Sequence, residues 1–107
     1  MKLIIPHHKT KNEAIGIIDR GAERLFTGAA GGSVEIGDEK KEWNGSTMSF
    51  SFTGRLGFIA VPLAGTIDVD EQNVTVNLDL PPMVKNFLGE DKVSGRIEQS
   101  VRGLLEA

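Results

Sequence analysis

Residues 43–80 read WNGSTMSFSFTGRLGFIAVPLAGTIDVDEQNVTVNLDL, and this stretch decides the fold. Apolar side chains at Met48, Phe50 and Phe52, at Ile67 and Val69, and at Val74, Val76, Leu78 and Leu80 alternate with polar ones. A period of two is that of a strand with one buried face. Turn residues interrupt it at Asn44-Gly45, at Gly54-Arg55-Leu56-Gly57 and at Asp70-Glu71-Gln72-Asn73, which predicts an antiparallel meander. Asn44-Gly45 predicts a type I′ turn with positive φ at both central residues, placing Trp43 opposite Thr47 or Met48. Val34, Ile36 and Trp43 form the strand region before it, around the charged run Asp38 to Glu42. The strand from Phe58 to Val69 carries Pro62 and Gly65, which predict a bulge, a bend or an edge.

The flanks supply what covers the apolar face. Lys2 to Pro6 reads as a first strand that joins the sheet, closed by its proline. Thr10-Lys11-Asn12-Glu13 has capping-box spacing. Behind it Ala14, Ile18, Ala22 and Leu25 recur at three- and four-residue intervals, predicting an amphipathic helix from Lys11 to Phe26 stopped by Gly28. Gly16 and Gly21 weaken that helix by roughly 1 kcal/mol each relative to alanine, and suit close packing on the sheet. After Pro81-Pro82, a stripe of Met83, Phe87, Ile97, Val101 and Leu104 is interrupted at Glu90 and Ser94. Either one kinked helix spans 82–105 or two helices meet between Gly89 and Gly95, with Ser94 as a cap. Val84, Leu88 and Leu105 widen this face enough to meet a second subunit or a hydrophobic surface.

The predicted architecture is a single α+β domain of order β-α-β-β-β-β-α. Its curved antiparallel sheet carries both helices on one face in a helix-grip-like, two-layer arrangement. A bent strand lets the sheet curl around a helix, and the space between them holds either a filled core or an apolar ligand pocket.

Composition narrows the function classes. The 107 residues suffice for one core. A net charge of -3 disfavours nucleic-acid binding, which depends on clustered Lys and Arg. With no Cys there is neither a disulfide nor a thiol nucleophile. No segment has the length of a signal peptide's apolar region or of a membrane span, so the expected setting is cytoplasmic and not integral to a membrane.

The chemistry-bearing candidates are few. Adjacent His7 and His8 point to opposite sides of an extended segment, and one imidazole bonding backbone where the strand turns into the helix suits them better than metal ligation or catalysis. Gly28-Ala29-Ala30-Gly31-Gly32 lacks the lysine of a phosphate loop and reads as a connection. Residues 68–79 fail as a calcium loop, with Asn73 at the glycine position and Asp79 at the glutamate position. Asp68 and Asp79 belong instead on a solvated face, and Ser49, Ser51 and Thr53 have no base beside them in sequence. No cofactor, metal or catalytic residue is predicted.

Taken together, Pro6-His7, Glu13-Ala14, Ile18-Asp19, Phe50-Ser51-Phe52, Leu56-Gly57, Gly65-Thr66-Ile67-Asp68-Val69, Leu78-Asp79-Leu80-Pro81 and Gly95-Arg96-Ile97-Glu98 give the chain its likeness. It resembles the small bacterial polyhydroxyalkanoic acid system proteins, whose genes lie with those for polyhydroxyalkanoate synthesis and granule proteins. The departure is Gly57 to Gly65, longer than the family's usual segment. The resemblance implies a non-enzymatic accessory of that metabolism, associated with granules or their surface proteins. The contact surface expected for it is Met83, Val84, Phe87 and Leu88. The alternative is a soluble binding module for an acyl or other hydrophobic small molecule, held between sheet and C-terminal helix.

Overall fold

In the computed structural model, which describes residues 1–30, 34–82, 85–86 and 89–106, the alternating stretch forms a ladder of strands. The elements run β1 (Lys2–Pro6), α1 (Lys11–Ala30), β2 (Glu35–Asn44), β3 (Thr47–Leu56), β4 (Ile59–Val69), β5 (Asn73–Asp79) and α2 (Glu90–Leu105). The five strands form one antiparallel sheet in the order β1-β5-β4-β3-β2, so the first strand joins it against the last. Both helices lie on one face, the helix-grip-like α+β arrangement, with α1 over β2 and α2 over β1.

Register determines which side chains share a face. Met48 pairs with Ile67 and Ile67 with Val76, while Phe52 pairs with Leu63. These residues, with Phe50, Val69, Val74 and Leu78, face the helices and are buried, apart from half-buried Leu63. The intervening Ser49, Ser51, Thr53, Thr66, Thr75 and Asp79 face outward. Asp68 and Asp79 therefore share the outer face, as alternation requires, Asp79 exposed and Asp68 half-buried.

The turns differ from the sequence reading in position. The β2–β3 turn is centred on Gly45 and Ser46, with Trp43 opposite Met48. Only Gly45 has positive φ, at 65°, the pattern of a II′ turn and not of I′. β3 continues through Gly54 to a second such turn at Gly57, φ 63°, and Phe58. Gly54 serves the strand: a Cβ there would lie 3.2 Å from Val34 Cγ1. Gly65 is no bulge, since register is continuous on both sides; it is a close approach, where an added Cβ would overlap Asn77 O and lie 2.9 Å from Phe50 Cζ. The register shift falls in edge strand β2 between Gly37 and Lys40, where Asp38 takes φ 55°. A bulge on an exposed edge discourages pairing with another sheet. Pro62 lies where β4 has run past the end of β5, an edge as its missing N–H suggests.

The capping box forms as spaced: Glu13 N–H donates to Thr10 Oγ1 at 3.2 Å and Thr10 N–H to Glu13 Oε1 at 3.4 Å. α1 does not stop at Gly28. Gly28 and Gly21 instead sit against α2, where a Cβ on Gly28 would overlap Ser100 Oγ and one on Gly21 would lie 2.5 Å from Leu104 Cδ1. Gly21 thus permits helix-to-helix approach and not helix-to-sheet approach. The C-terminal region breaks at Gly89, φ 76°, after helical backbone at Pro82, Lys85 and Asn86 in which Lys85 N–H bonds Pro81 O and Gly89 N–H bonds Lys85 O. That break resets the helical phase. The buried stripe of α2 is Val93, Ile97, Val101 and Leu105, and Ser94 donates to Asp91 O instead of capping.

Candidate functional site

Among the described residues, two places have the character of a site, one on each face of the sheet. On the inner face, Phe50 and Phe52 of β3 project to the same side because they are two residues apart. Phe26 of α1 stacks on both, with ring centroids 5.2 and 5.0 Å away and interplanar angles of 28° and 23°. All three rings are buried, beneath Ile97 and Val101 of α2. The space left among them is about 20 Å³. That is room for about one water and not for an acyl chain. The interior is a filled, aromatic core.

The larger concavity lies outside. A groove of about 490 Å³ crosses the outer face where β5 ends. Its floor is made of small outward side chains, Ser51, Thr53, Pro62 and Ala64; its walls are the β2 bulge at Asp38 and Lys40 and the chain leaving β5 at Asp79 to Pro81. Asp38 Oδ2 is already bridged by Arg55 at 3.3 Å. The sequence reading missed this groove because its lining spans four strands. Only the register brings Ser51, Ala64 and Asp79 side by side.

The other sequence candidates settle into structural roles. His7 is 6% exposed; its Nε2 bonds Asp70 O at 2.8 Å and its Nδ1 accepts Lys9 N–H at 3.2 Å. Both ring nitrogens are engaged with backbone, Nδ1 in the turn from β1 to α1 and Nε2 in the β4–β5 turn, so neither is free for a metal. His8 is exposed. Asp68 bonds Thr47 across β3–β4, and it pairs with Thr75 while Asp79 pairs with Ala64. Four residues along the ladder place those carboxylates about 13 Å apart, too far for shared acid–base work. Asp70 Oδ1 accepts Gln72 N–H at 2.8 Å and Asn73 N–H at 2.5 Å, which lowers its pKa and shapes the β4–β5 turn. No group of three His, Cys, Asp or Glu suited to a metal occurs among the described residues. Met83, Val84, Phe87 and Leu88, the predicted hydrophobic contact, lie outside the described residues, as do Gly31, Gly32 and Ser33 of the glycine-rich connection.

Asp19 ties α1 to edge strand β2. Its Oδ1 accepts Lys41 Nζ at 2.8 Å and Trp43 Nε1 at 2.9 Å, and these bonds hold its carboxyl below the usual Asp range. A depressed carboxyl pKa contributes stability above the unfolded value of about 3.9, lost as pH falls through the folded value. Because Trp43 is the single tryptophan, its emission reports the surroundings of this bond. Emission should stay constant above about pH 4 and shift below it, whereas Asp19→Ala should emit in the shifted position throughout. A wild type that titrates identically to the variant would show that the bond does not form. The stability cost should be small, on the order of 0.5 kcal/mol, for a pair so exposed to solvent.

No helix among the described residues is long and apolar enough to cross a membrane. Comparison of the chain with family models, with curated proteins and with solved structures gives no match.

Proposed function

We propose that this protein is a non-enzymatic binding module for a hydrophobic small molecule, with an acyl chain as the ligand class. The observation that carries the reading is the stacked trio Phe26, Phe50 and Phe52, set between a sheet and a helix with the residual interior space at that point. Pockets for drug-sized ligands run to about 300 Å³ or more, so the closed interior must open to bind. α2 is the element to move: it lies over the trio and follows its N-cap Gly89, whose positive φ marks a break from the preceding helical residues. Binding and displacement of α2 are then one event.

A second reading rests on the resemblance noted from the sequence. It makes the protein a cytoplasmic accessory of polyhydroxyalkanoate metabolism that meets granules or their proteins through Met83, Val84, Phe87 and Leu88. One experiment addresses both. Purified protein is incubated with decanoate and examined by native mass spectrometry and amide NMR, and in parallel is sedimented with isolated polyhydroxyalkanoate granules. One bound decanoate with shifts at Ile97 and Val101 supports the carrier. Pelleting that a folded Phe87→Asp, Leu88→Asp variant loses supports the accessory. Absence of decanoate binding at millimolar concentration removes the first reading, and protein left in the supernatant removes the second.

A further inference from the structure

The β3–β4 hairpin carries two features that packing within one chain leaves unexplained. At its tip Phe58 is 99% exposed, beside Ile59 at 43%. Burying a phenylalanine is among the larger single gains available to a fold, yet this one projects into solvent. About six residues back along β4, roughly 20 Å at strand rise, lies the outer groove of about 490 Å³, floored by Ala64, Pro62, Ser51 and Thr53. A knob and a hole are thus borne on one hairpin. Outward side chains on β4 are the even-numbered Ala60, Pro62 and Ala64, and Phe58 stands free of the chain's own packing at the turn that ends this row.

We propose that two copies of this chain dock through the outer faces of their β3–β4 hairpins, the Phe58 of each seated in the outer groove of the other. Because knob and hole lie on the same element, a two-fold axis near residue 61 satisfies both contacts at once, as an isologous dimer requires. The groove has the volume of a small-molecule pocket, ample for one phenyl ring. Charge is complementary as well. From Thr47 to Ile67 the hairpin's single charged residue is Arg55, and the groove rim carries Asp38 and Asp79 with Lys40. Arg55 bridges Asp38 of its own chain at 3.3 Å, and packing brings a second guanidinium toward the same rim. The contact is face to face and not edge to edge. In a two-residue hairpin the pairs alternate between hydrogen-bonded and not, which turns Pro62 toward the open edge where it has no N–H to offer a partner strand.

The test is sedimentation equilibrium of the full chain, wild type against Phe58→Asp and Ala64→Arg, with thermal melts to confirm folding. Both positions are exposed, so both variants should fold. The wild type should dimerise, and each variant should weaken the dimer about 100-fold or more, because a central aromatic anchor is lost twice by symmetry. Mixing the variants should restore dimers. In the mixed pair one wild-type knob meets one wild-type hole, and at the other contact the carboxylate introduced by Phe58→Asp faces the guanidinium introduced by Ala64→Arg. A wild type that stays monomeric at about 1 mM overturns the proposal, as does dimerisation that survives both substitutions or a mixture that stays monomeric. Phe58-dependent binding of a monomeric wild type to phosphatidylcholine–phosphatidylglycerol vesicles would assign the tip to a lipid surface instead, and also overturns it.

Discussion

Gly65→Ala should lower the midpoint of thermal unfolding by on the order of 15 °C, while Gly95→Ala should raise it by a few degrees. The chemical change is the same and the sign is opposite. At Gly65 an added Cβ would overlap Asn77 O and lie 2.9 Å from Phe50 Cζ and 3.1 Å from Leu78 Cα. Two of those atoms are backbone of the neighbouring strand, which cannot rotate aside. Relief requires β4 and β5 to part or Phe50 to leave its stack on Phe26. Overpacking of this kind costs about 3 kcal/mol, a large share of the roughly 5–15 kcal/mol that holds a domain folded. At Gly95, on the exposed side of α2, nothing lies within 4 Å of the added Cβ. There alanine only restricts the unfolded chain and favours helix, a gain of about 0.5–1 kcal/mol. Differential scanning calorimetry reads both changes. A Gly65→Ala midpoint within about 3 °C of wild type would show that the strands yield at that point.

Gly65 also shows where the sequence stops being legible. Alternation through Met48, Phe50 and Phe52 and through Val74, Val76 and Leu78 specified the strands and their buried face, because a period of two leaves one solution once a face is apolar. The capping box at Thr10 and Glu13 was likewise local, two side chains and two amides within one turn. Glycines mislead for a physical reason. A glycine that frees φ and a glycine that admits a neighbour are identical in sequence. Gly54 and Gly28 read as a turn and a helix stop, yet they admit Val34 and Ser100. The buried stripe of α2 is displaced by a related cause. Its phase depends on where Gly89 breaks the chain, so Val93 and Leu105 are buried where the sequence periodicity puts Ser94 and Leu104 in line.

The candidate sites were legible in part. Alternation put Phe50 and Phe52 on the buried face, but Phe26 lies off the stripe of Ala14, Ile18, Ala22 and Leu25, and its stacking on both rings depends on where α1 crosses the sheet. That the space beneath them is only about 20 Å³ could not be read, since it depends on how close α2 sits. That closeness rests on Gly21 and Gly28 in the other helix. The outer groove was illegible altogether. It arises from non-local facts, namely the pairing of Ala64 with Ser51 and Asp79, the bulge at Asp38, and the end of β5 opposite Ala64, past which the β4 segment from Ile59 to Leu63 has no strand partner on that side among the described residues.

Phe26→Ala should cost about 3–5 kcal/mol, the largest loss from any single truncation in the core. Phe26 is 4% exposed and its ring lies 5.2 Å from that of Phe50 and 5.0 Å from that of Phe52, whereas Phe50 and Phe52 are 6.3 Å from each other. It is the member that joins the other two, and it joins α1 to β3. Truncation removes its transfer free energy, both stacking contacts and the filling of a space that stiff β-strands cannot collapse into. Leucine keeps most of the volume and none of the stacking, so Phe26→Leu should lose about 1–2 kcal/mol. Urea denaturation followed by circular dichroism separates the outcomes: the midpoint should fall in the order wild type, leucine, alanine, with the slope unchanged. The alanine variant also enlarges the interior at the proposed ligand site. If the carrier reading holds, decanoate should bind Phe26→Ala faster than wild type, because less displacement of α2 is needed to admit it. A stability loss under about 1 kcal/mol would mean that the stacked trio is peripheral to the core, and peripheral rings give no ground for a ligand between sheet and helix.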